Sequence, residues 1–200
     1  MESPFPEVPA TPRPLLSSAP DVPPSLTART LDGLEWLLAR ELVSLGATDL
    51  RIGRRTIEFS GSTETLYRAV LESRVAIRIL EPLGRFAVSS PETLYASISS
   101  VDWAKHLRPN QTLRVDARVH DTFIDHSLYA SQVVKDAVVD GVRAVHGRRP
   151  NVQLHGASLR LSLHLSGETA TLFRDAAGQS LHQRGWRQGR VEAPLSEVLA

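Results

Sequence analysis

The longest regular stretch of the sequence runs from Leu113 to His146 and predicts a strand followed by a long helix. Apolar and polar residues alternate from Leu113 to His120, which is the period of a strand with one buried face and one wet, partly basic face. Apolar residues then recur at three- and four-residue steps, so one stripe of the helix faces a core. That stripe consists of Val134, Ala137, Val138, Gly141, Val142 and Val145.

The first patterned stretch, residues 25–62, predicts a strand, a helix and two more strands. Ser25–Thr30 forms the first strand, and Asp32 is the expected N-cap of the helix. The two further strands are expected at Asp49–Ile52 and Thr56–Phe59. This order is typical of a small α+β unit of ferredoxin-like type.

Between these two stretches the spacing predicts two more helices and a broken extended segment. Ser62 is the expected N-cap of one helix, and Pro91 is the expected first residue of the other. Val75–Leu80 is extended or the end of a helix. Pro82 and Gly84 are expected to interrupt it before another short strand.

After the central helix the pattern predicts a hairpin. Its strands are expected at Leu159–Leu165 and Thr169–Arg174, joined by a turn at Ser166 and Gly167. Trp103 and Leu107 are expected to close over the core side of the helix that begins at Pro91. Together the elements indicate an α+β protein.

Both ends of the chain differ from its middle. Residues 1–24 contain eight prolines and almost no apolar periodicity, so we expect a disordered, proline-rich tail. Residues 177–200 are rich in glycine, glutamine and arginine, include one tryptophan and offer little that could be buried alone. We expect them to be a linker.

Composition excludes several classes of protein. At 200 residues and 42% hydrophobic content the chain can bury an ordinary core. It has no apolar run of about twenty residues, so we expect no membrane span. Its start lacks the charged and apolar regions of a secretory signal. The absence of cysteine excludes disulfides, thiolate metal sites and a catalytic thiol, and it fits a cytoplasmic location.

The net charge of +1 conceals an uneven distribution. Residues 1–24 carry −2, residues 25–140 carry −1, and residues 141–200 carry +4. A basic last third in a nearly neutral protein indicates an anionic partner met on one side, most simply nucleic acid. The alternative is an arginine-rich surface that is merely solvated.

Several segments resemble one known family. They are Thr30–Glu35, Arg74–Leu83, Val134–Asp140, Arg149–Val152, Leu181–Arg187 and Ala193–Leu195. The last two together are the most specific. On these segments the chain resembles the N-terminal part of the THUMP-domain RNA methyltransferases, specifically the bacterial enzymes that methylate guanine N2 in large-subunit ribosomal RNA.

The resemblance implies a ferredoxin-like domain at residues 25–62, an RNA-binding THUMP domain at 63–176, and a linker to a methyltransferase domain at 177–200. In the family, the methyltransferase domain carries a glycine-containing loop for S-adenosylmethionine and an Asn/Asp-Pro-Pro-aromatic motif, and this sequence contains neither. We therefore expect an RNA-binding part that holds no cofactor or catalytic residue and is inactive alone. Its expected partners are large-subunit ribosomal RNA and the methyltransferase domain, which would use S-adenosylmethionine in the full-length protein.

Basic side chains from the strand, helix and loops are candidates for RNA contact, because planar guanidinium groups can bind two phosphate oxygens at once. The candidates are Arg114, Arg118, Lys135, Arg143, Arg148, Arg149 and Arg160. Arg114 and Arg118 could equally pair with Asp116 and neighbouring acids. Arg184 and Arg187 flank Trp186, an arrangement that can stack an unpaired base. An equal alternative is that Trp186 packs the linker against the missing domain.

The residues are also compatible with two other functions. His120, Asp125 and His126 offer imidazole and carboxylate groups, so a metal-dependent enzyme is one alternative. They lie in a turn, however, where Asp125 or Ser127 is better explained as the N-cap of the central helix. A non-catalytic protein-interaction module is the other alternative.

Overall fold

The computed structural model describes residues 25–183, together with Ser196 and Val198. The described strands are β1 (Ser25–Arg29), β2 (Thr48–Gly53), β3 (Thr56–Ser60), β4 (Arg78–Ala87), β5 (Thr112–His120), β6 (Asn151–Val152), β7 (Leu159–Ser166) and β8 (Thr169–Asp175). The described α-helices are α1 (Glu35–Ser44), α2 (Thr63–Glu72), α3 (Pro91–Ser99) and α4 (Ser127–His146), and a short 3₁₀ helix covers Trp103–Lys105. The chain is therefore α+β, as the sequence predicts.

All described strands belong to one eight-stranded sheet in the order β2-β3-β1-β4-β8-β7-β5-β6. Strands β1 to β4, with α1 after β1 and α2 after β3, form the ferredoxin-like arrangement. The second half adds a β7–β8 hairpin and a parallel β5–β7 pair, with α4 as the crossover from β5. This confirms a ferredoxin-like unit followed by a second α+β unit.

Strand β4 is continuous where the sequence predicts an interruption. Its pairing with β8 shifts register between Pro82 and Gly84, so the strand carries a bulge and does not end there. The bulge tolerates a proline that cannot donate to the ladder. Gly84 leaves room for the ring of Phe86, which a Cβ atom at that position would meet.

Two hydrophobic cores lie along the sheet and meet at β4. Ile79 belongs to the first core, which α1 and α2 cover, and Phe86 belongs to the second, beneath α3 and α4. Leu66 and Ala69 of α2 pack in the first core. A domain boundary within β4 therefore fits the packing better than one at residue 62, although the predicted division itself stays a prediction.

The observed helix starts agree with the predicted ones for α2 and α3 and differ from them for α1 and α4. The Ser62 hydroxyl accepts from the Thr65 amide, and the Ser90 hydroxyl caps α3 immediately before Pro91. Asp32 does not cap α1, whose N-cap is Leu34. His126 is the N-cap of α4 and makes no side-chain cap bond, so the Asp125 and Ser127 prediction is wrong.

Asp32 instead pairs with Arg54, whose Nε lies 3.2 Å from its Oδ1. The Glu35 carboxylate accepts the Gly33 and Arg55 amides. The Arg55 amide bond is the largest of the causes that lower the pKa of Glu35. Glu35 thus ties the start of α1 to the turn between β2 and β3.

Trp103 fixes the packing of α4, and Val145 is an exception to the predicted stripe. The Trp103 indole is buried, and its Nε1 donates to the Ile98 carbonyl at 2.8 Å. Gly141 lies against this ring. Val145 is 64% exposed, because the helix has passed the edge of the core by its last turn.

Replacing Gly141 with alanine tests this packing. A Cβ at Gly141 would lie 2.9 Å from Cδ1 of Trp103. Helix propensity favours alanine by about 1 kcal/mol, but overpacking costs about 1–3 kcal/mol. We expect a net loss of about 1 kcal/mol in the free energy of unfolding, measured by urea denaturation.

Ala144→Gly, at an exposed position of the same helix, provides the control, because it measures helix propensity alone. A Gly141→Ala variant more stable than the parent would contradict the contact with Trp103.

Candidate nucleic-acid interface

A groove runs along the outer edge of β5. Strand β6 pairs only with Thr112 and Leu113, so within the described sheet the rest of β5 is an open edge. The first half of α4 lies beside this edge. Two adjoining depressions of about 810 and 430 Å³ form there. Each volume is within the range of ordinary ligand sites, so each can take a group of nucleotide size.

The groove combines cations with exposed apolar groups. Its basic side chains are Arg114, Arg118 and Lys135. Leu128 and Leu154, which are 70% and 68% exposed, lie in its wall. Tyr129 and Gln132 complete the first depression. Such a surface offers charge to phosphates and flat or apolar faces to unpaired bases.

Arg114 and Arg160, two of the predicted RNA contacts, both form ion pairs with the carboxylate of Asp116. Oδ1 of Asp116 accepts from Nε and Nη2 of Arg114 at 3.1 and 3.0 Å. Oδ2 accepts from Nε of Arg160 at 2.7 Å, with Nη2 at 2.6 Å. Burial pushes the pKa of Asp116 up, but the bonds from Arg114 and Arg160 outweigh it, so the pKa lies below its usual value. This is the pairing that the sequence left open for Arg114.

The ion pairs continue across the sheet as a ladder, which we define as Arg78, Asp175, Arg160, Asp116 and Arg114. Asp175 is buried, pairs with Arg78, and lies 3.9 Å from Nε of Arg160. The ladder also reaches two backbone carbonyls, one from its middle residue and one from its end. Arg160 donates to Gly178 at 3.3 Å, and Arg114 donates to Leu154 beside the groove. The ladder thus links the chain after β8 to the groove.

The other predicted contacts are spread over α4 and its exit loop. Nζ of Lys135 lies 3.0 Å from Oδ1 of Asp136, within reach of the groove. Arg149 pairs at 3.1 Å with Asp140, on the flank of α4 where Asp140 also accepts from Tyr95 of α3. Arg143 and Arg148 are exposed. Arg184, Trp186 and Arg187 lie outside the described residues.

The structure therefore brings Arg114, Arg118 and Lys135 to one groove and puts Arg149 on the flank that contacts α3. Sequence reasoning missed Tyr129, Gln132 and Leu154 as groove residues. The sequence carried no signal for them, because no strand is predicted at β6, whose two residues are too few to show a pattern, so the open edge of β5 is seen only in the sheet.

The proposed metal residues do not form a cluster. Within the described part of the chain, no group of three or more His, Asp or Glu side chains is placed to hold a metal ion. His120 pairs with Asp121 at 3.2 Å. Asp125 and His126 line the groove wall next to Tyr129.

Family comparisons decide what kind of unit this is. The family model described as RlmL ferredoxin-like domain matches residues 25–80, and the THUMP domain model matches residues 88–175. The chain therefore contains an RlmL-type ferredoxin-like domain followed by a THUMP domain. THUMP is an RNA-binding domain.

Curated relatives agree with this assignment. The chain is 43% identical over 180 residues to the ribosomal RNA large subunit methyltransferase K/L of Syntrophotalea carbinolica. It is 45% identical over 168 residues to the same enzyme of Methylococcus capsulatus. These matches cover 90% and 84% of this chain but 25% and 23% of the relatives. The chain thus spans about a quarter of the length of the relatives it matches.

Solved structures share the fold. A Listeria monocytogenes protein described as an N6-adenine-specific DNA methylase matches with a TM-score of 0.75 and 26% identity, covering 88% of this chain and 46% of that one. SMU.472, described as a methyltransferase and crystallised with SAH, matches with a TM-score of 0.75 and 24% identity, covering 90% of this chain and 47% of that one. This second likeness supports the fold alone. Among residues 25–183, no helix is long and apolar enough to cross a membrane.

His164 gives the THUMP unit a predicted pH dependence. Its ring lies 5.0 Å from that of Phe173, and its buried Nε2 has no hydrogen-bond partner among the described residues. Burial, aided by the Arg118 charge, lowers the pKa of His164 from 6.5 to about 4. The unfolded chain therefore binds a proton between these two pH values that the folded chain does not.

We expect the free energy of unfolding to fall as the pH drops from about 6.5 towards about 4. His164 contributes up to about 3 kcal/mol of this loss. His164→Gln should remove that part, measured by urea denaturation at several pH values. His120→Gln, on an exposed histidine of β5, serves as the control. Equal pH slopes for the parent and His164→Gln would contradict the burial of this ring.

Proposed function

We propose that this chain is the RNA-binding part of an S-adenosylmethionine-dependent methyltransferase that acts on guanine N2 of large-subunit ribosomal RNA. The observation that carries the proposal is the basic groove on an open strand edge within the matched THUMP domain. The names of the relatives support ribosomal RNA as the substrate. The chain positions RNA, and a methyltransferase domain of the full-length protein modifies it.

The groove suggests how RNA lies on the protein. Arg118 and Lys135 bind phosphates along the edge of β5, while Tyr129 and the exposed leucines lie under unpaired bases. Arg143, Arg148 and Arg149, at the end of α4, extend the positive charge beyond the groove. Arg184, Trp186 and Arg187 stay candidates for a second contact.

The cofactor belongs to the other domain in this proposal. S-adenosylmethionine would supply the methyl group there. The family's glycine-containing loop and Asn/Asp-Pro-Pro-aromatic motif are not in the printed sequence, so we assign no cofactor contact to the described residues. A substrate of ribosomal RNA also makes the cytoplasm the proposed location.

RNA binding should depend on salt, because phosphate contacts release counterions. We expect Arg118→Ala and Lys135→Ala each to weaken the binding of a ribosomal RNA fragment. Each should also reduce the slope of log K against log salt by about 0.7–0.9. Fluorescence anisotropy at several salt concentrations measures both quantities.

Arg54→Ala is the matched control, because Arg54 is 85% exposed and lies in the ferredoxin-like unit. Binding that is independent of salt, or equally weakened by all three variants, would overturn the groove as the RNA site. An Arg148→Glu and Arg149→Glu double variant distinguishes the proposal from the interaction-module alternative. The proposal expects the double variant to lose RNA binding, whereas the alternative expects that there is no RNA binding to lose.

A further inference from the structure

Asp116 occupies the position that an anionic ligand of Arg114 would take. Each of its carboxylate oxygens accepts from one guanidinium group, with distances of 3.0–3.1 Å to Arg114 and 2.7 Å to Arg160. Guanidinium groups hold phosphate oxygens with the same donors. The pair of arginines thus forms an anion site whose present ligand is a side chain of the chain itself.

This site is open to the groove on one side only. Arg114 and Asp116 line the second depression together with Lys135. Their side chains are 27% and 38% exposed, whereas that of Arg160 is 13% exposed. A ligand in the groove therefore reaches Arg114 and not Arg160.

We propose that Asp116 is an internal substitute for an RNA phosphate, and that bound RNA displaces its carboxylate from Arg114 while Arg160 retains it. The inference rests on the proposed RNA-binding function. It adds Asp116 as a residue that decides which RNA binds.

The bonds around Asp116 keep the free-energy cost of this exchange low. Losing one partner of a half-buried ion pair is costly when a charge is left alone. Here the Asp116 carboxylate keeps Arg160, and Arg160 also keeps Asp175 and the Gly178 carbonyl. Arg114 keeps its bond to the Leu154 carbonyl. The phosphate takes over one guanidinium group, and no charge is left unpaired.

The same arrangement favours selectivity. RNA that places a phosphate beside Arg114 and Lys135 recovers the bonds that Asp116 gives up. RNA that places no phosphate there meets the Asp116 carboxylate in the groove wall instead. Specificity gained by disfavouring poor ligands is a general property of charged interfaces.

Asp116→Asn tests the proposal, because asparagine keeps the shape and removes the charge. We expect the variant to bind both the ribosomal RNA fragment and an unrelated single-stranded RNA several-fold more tightly than the parent. For the unrelated RNA, which gains a phosphate contact with Arg114, the slope of log K against log salt should steepen by about 0.7, the value for one contact on a single strand. For the ribosomal RNA fragment, which already contacts Arg114 in the parent, the slope should stay the same. The larger improvement should be for the unrelated RNA.

Asp125→Asn is the matched control, because Asp125 lies in the same groove and forms no ion pair among the described residues. Asp125→Asn changes the net charge by the same amount as Asp116→Asn. If Asp116→Asn and Asp125→Asn behave alike, Asp116 acts only through its general field and the proposal is wrong. If the improvement persists in an Arg114→Gln background, Arg114 is not the group released and the proposal is also wrong.

Arg114→Gln alone keeps the inference testable should Asp116→Asn fail to fold in a circular dichroism melt. The proposal expects the slope of log K against log salt to be shallower by about 0.7 in this variant, since Arg114 contacts the RNA in the parent. An unchanged slope means that Arg114 stays with Asp116 in the complex, which overturns the inference. Weakened binding by Arg118→Ala and Lys135→Ala would then still support the proposed function, so the two failures are distinguishable.

Discussion

Strand β4 is the element on which the rest of the structure depends, because the two halves of the molecule share it. Its first residues pair with β1 and its last residues with β8. A bulge between Pro82 and Gly84 lets one strand follow both halves of the sheet. The ferredoxin-like unit and the THUMP unit are therefore joined by main-chain hydrogen bonds. The groove proposed for RNA consequently keeps a fixed position relative to the first unit.

The groove itself follows from the shortness of β6. Two paired residues leave most of β5 unpaired on its outer side within the described sheet. Proteins commonly protect such an edge with charged side chains, and β5 carries Arg114, Asp116 and Arg118. The two arginines among these charges also make the edge suitable for an anionic polymer. The ion-pair ladder then connects this edge, through Arg160, to Gly178 after β8.

The sequence predicted the periodic elements and the family well and the local details less well. Alternation in β5 and β7 and the three- to four-residue spacing in α4 identified the second core. The α+β class and the order of the ferredoxin-like and THUMP domains are confirmed, and THUMP is an RNA-binding domain. The continuity of β4 could not be predicted, because its bulge depends on the distant strand β8. The pairing of Arg160 with Asp116 was equally hidden, since it joins residues that are 44 positions apart.

The central claim is that RNA lies in the groove between the edge of β5 and the first half of α4. Ultraviolet crosslinking of a ribosomal RNA fragment to the chain, followed by mass spectrometry of the crosslinked peptides, tests it most directly. We expect the crosslinks to map to β5, to residues 126–135 and to residues near Leu154. Crosslinks confined to α1 and α2, or to the β2 edge of the sheet, would contradict the claim.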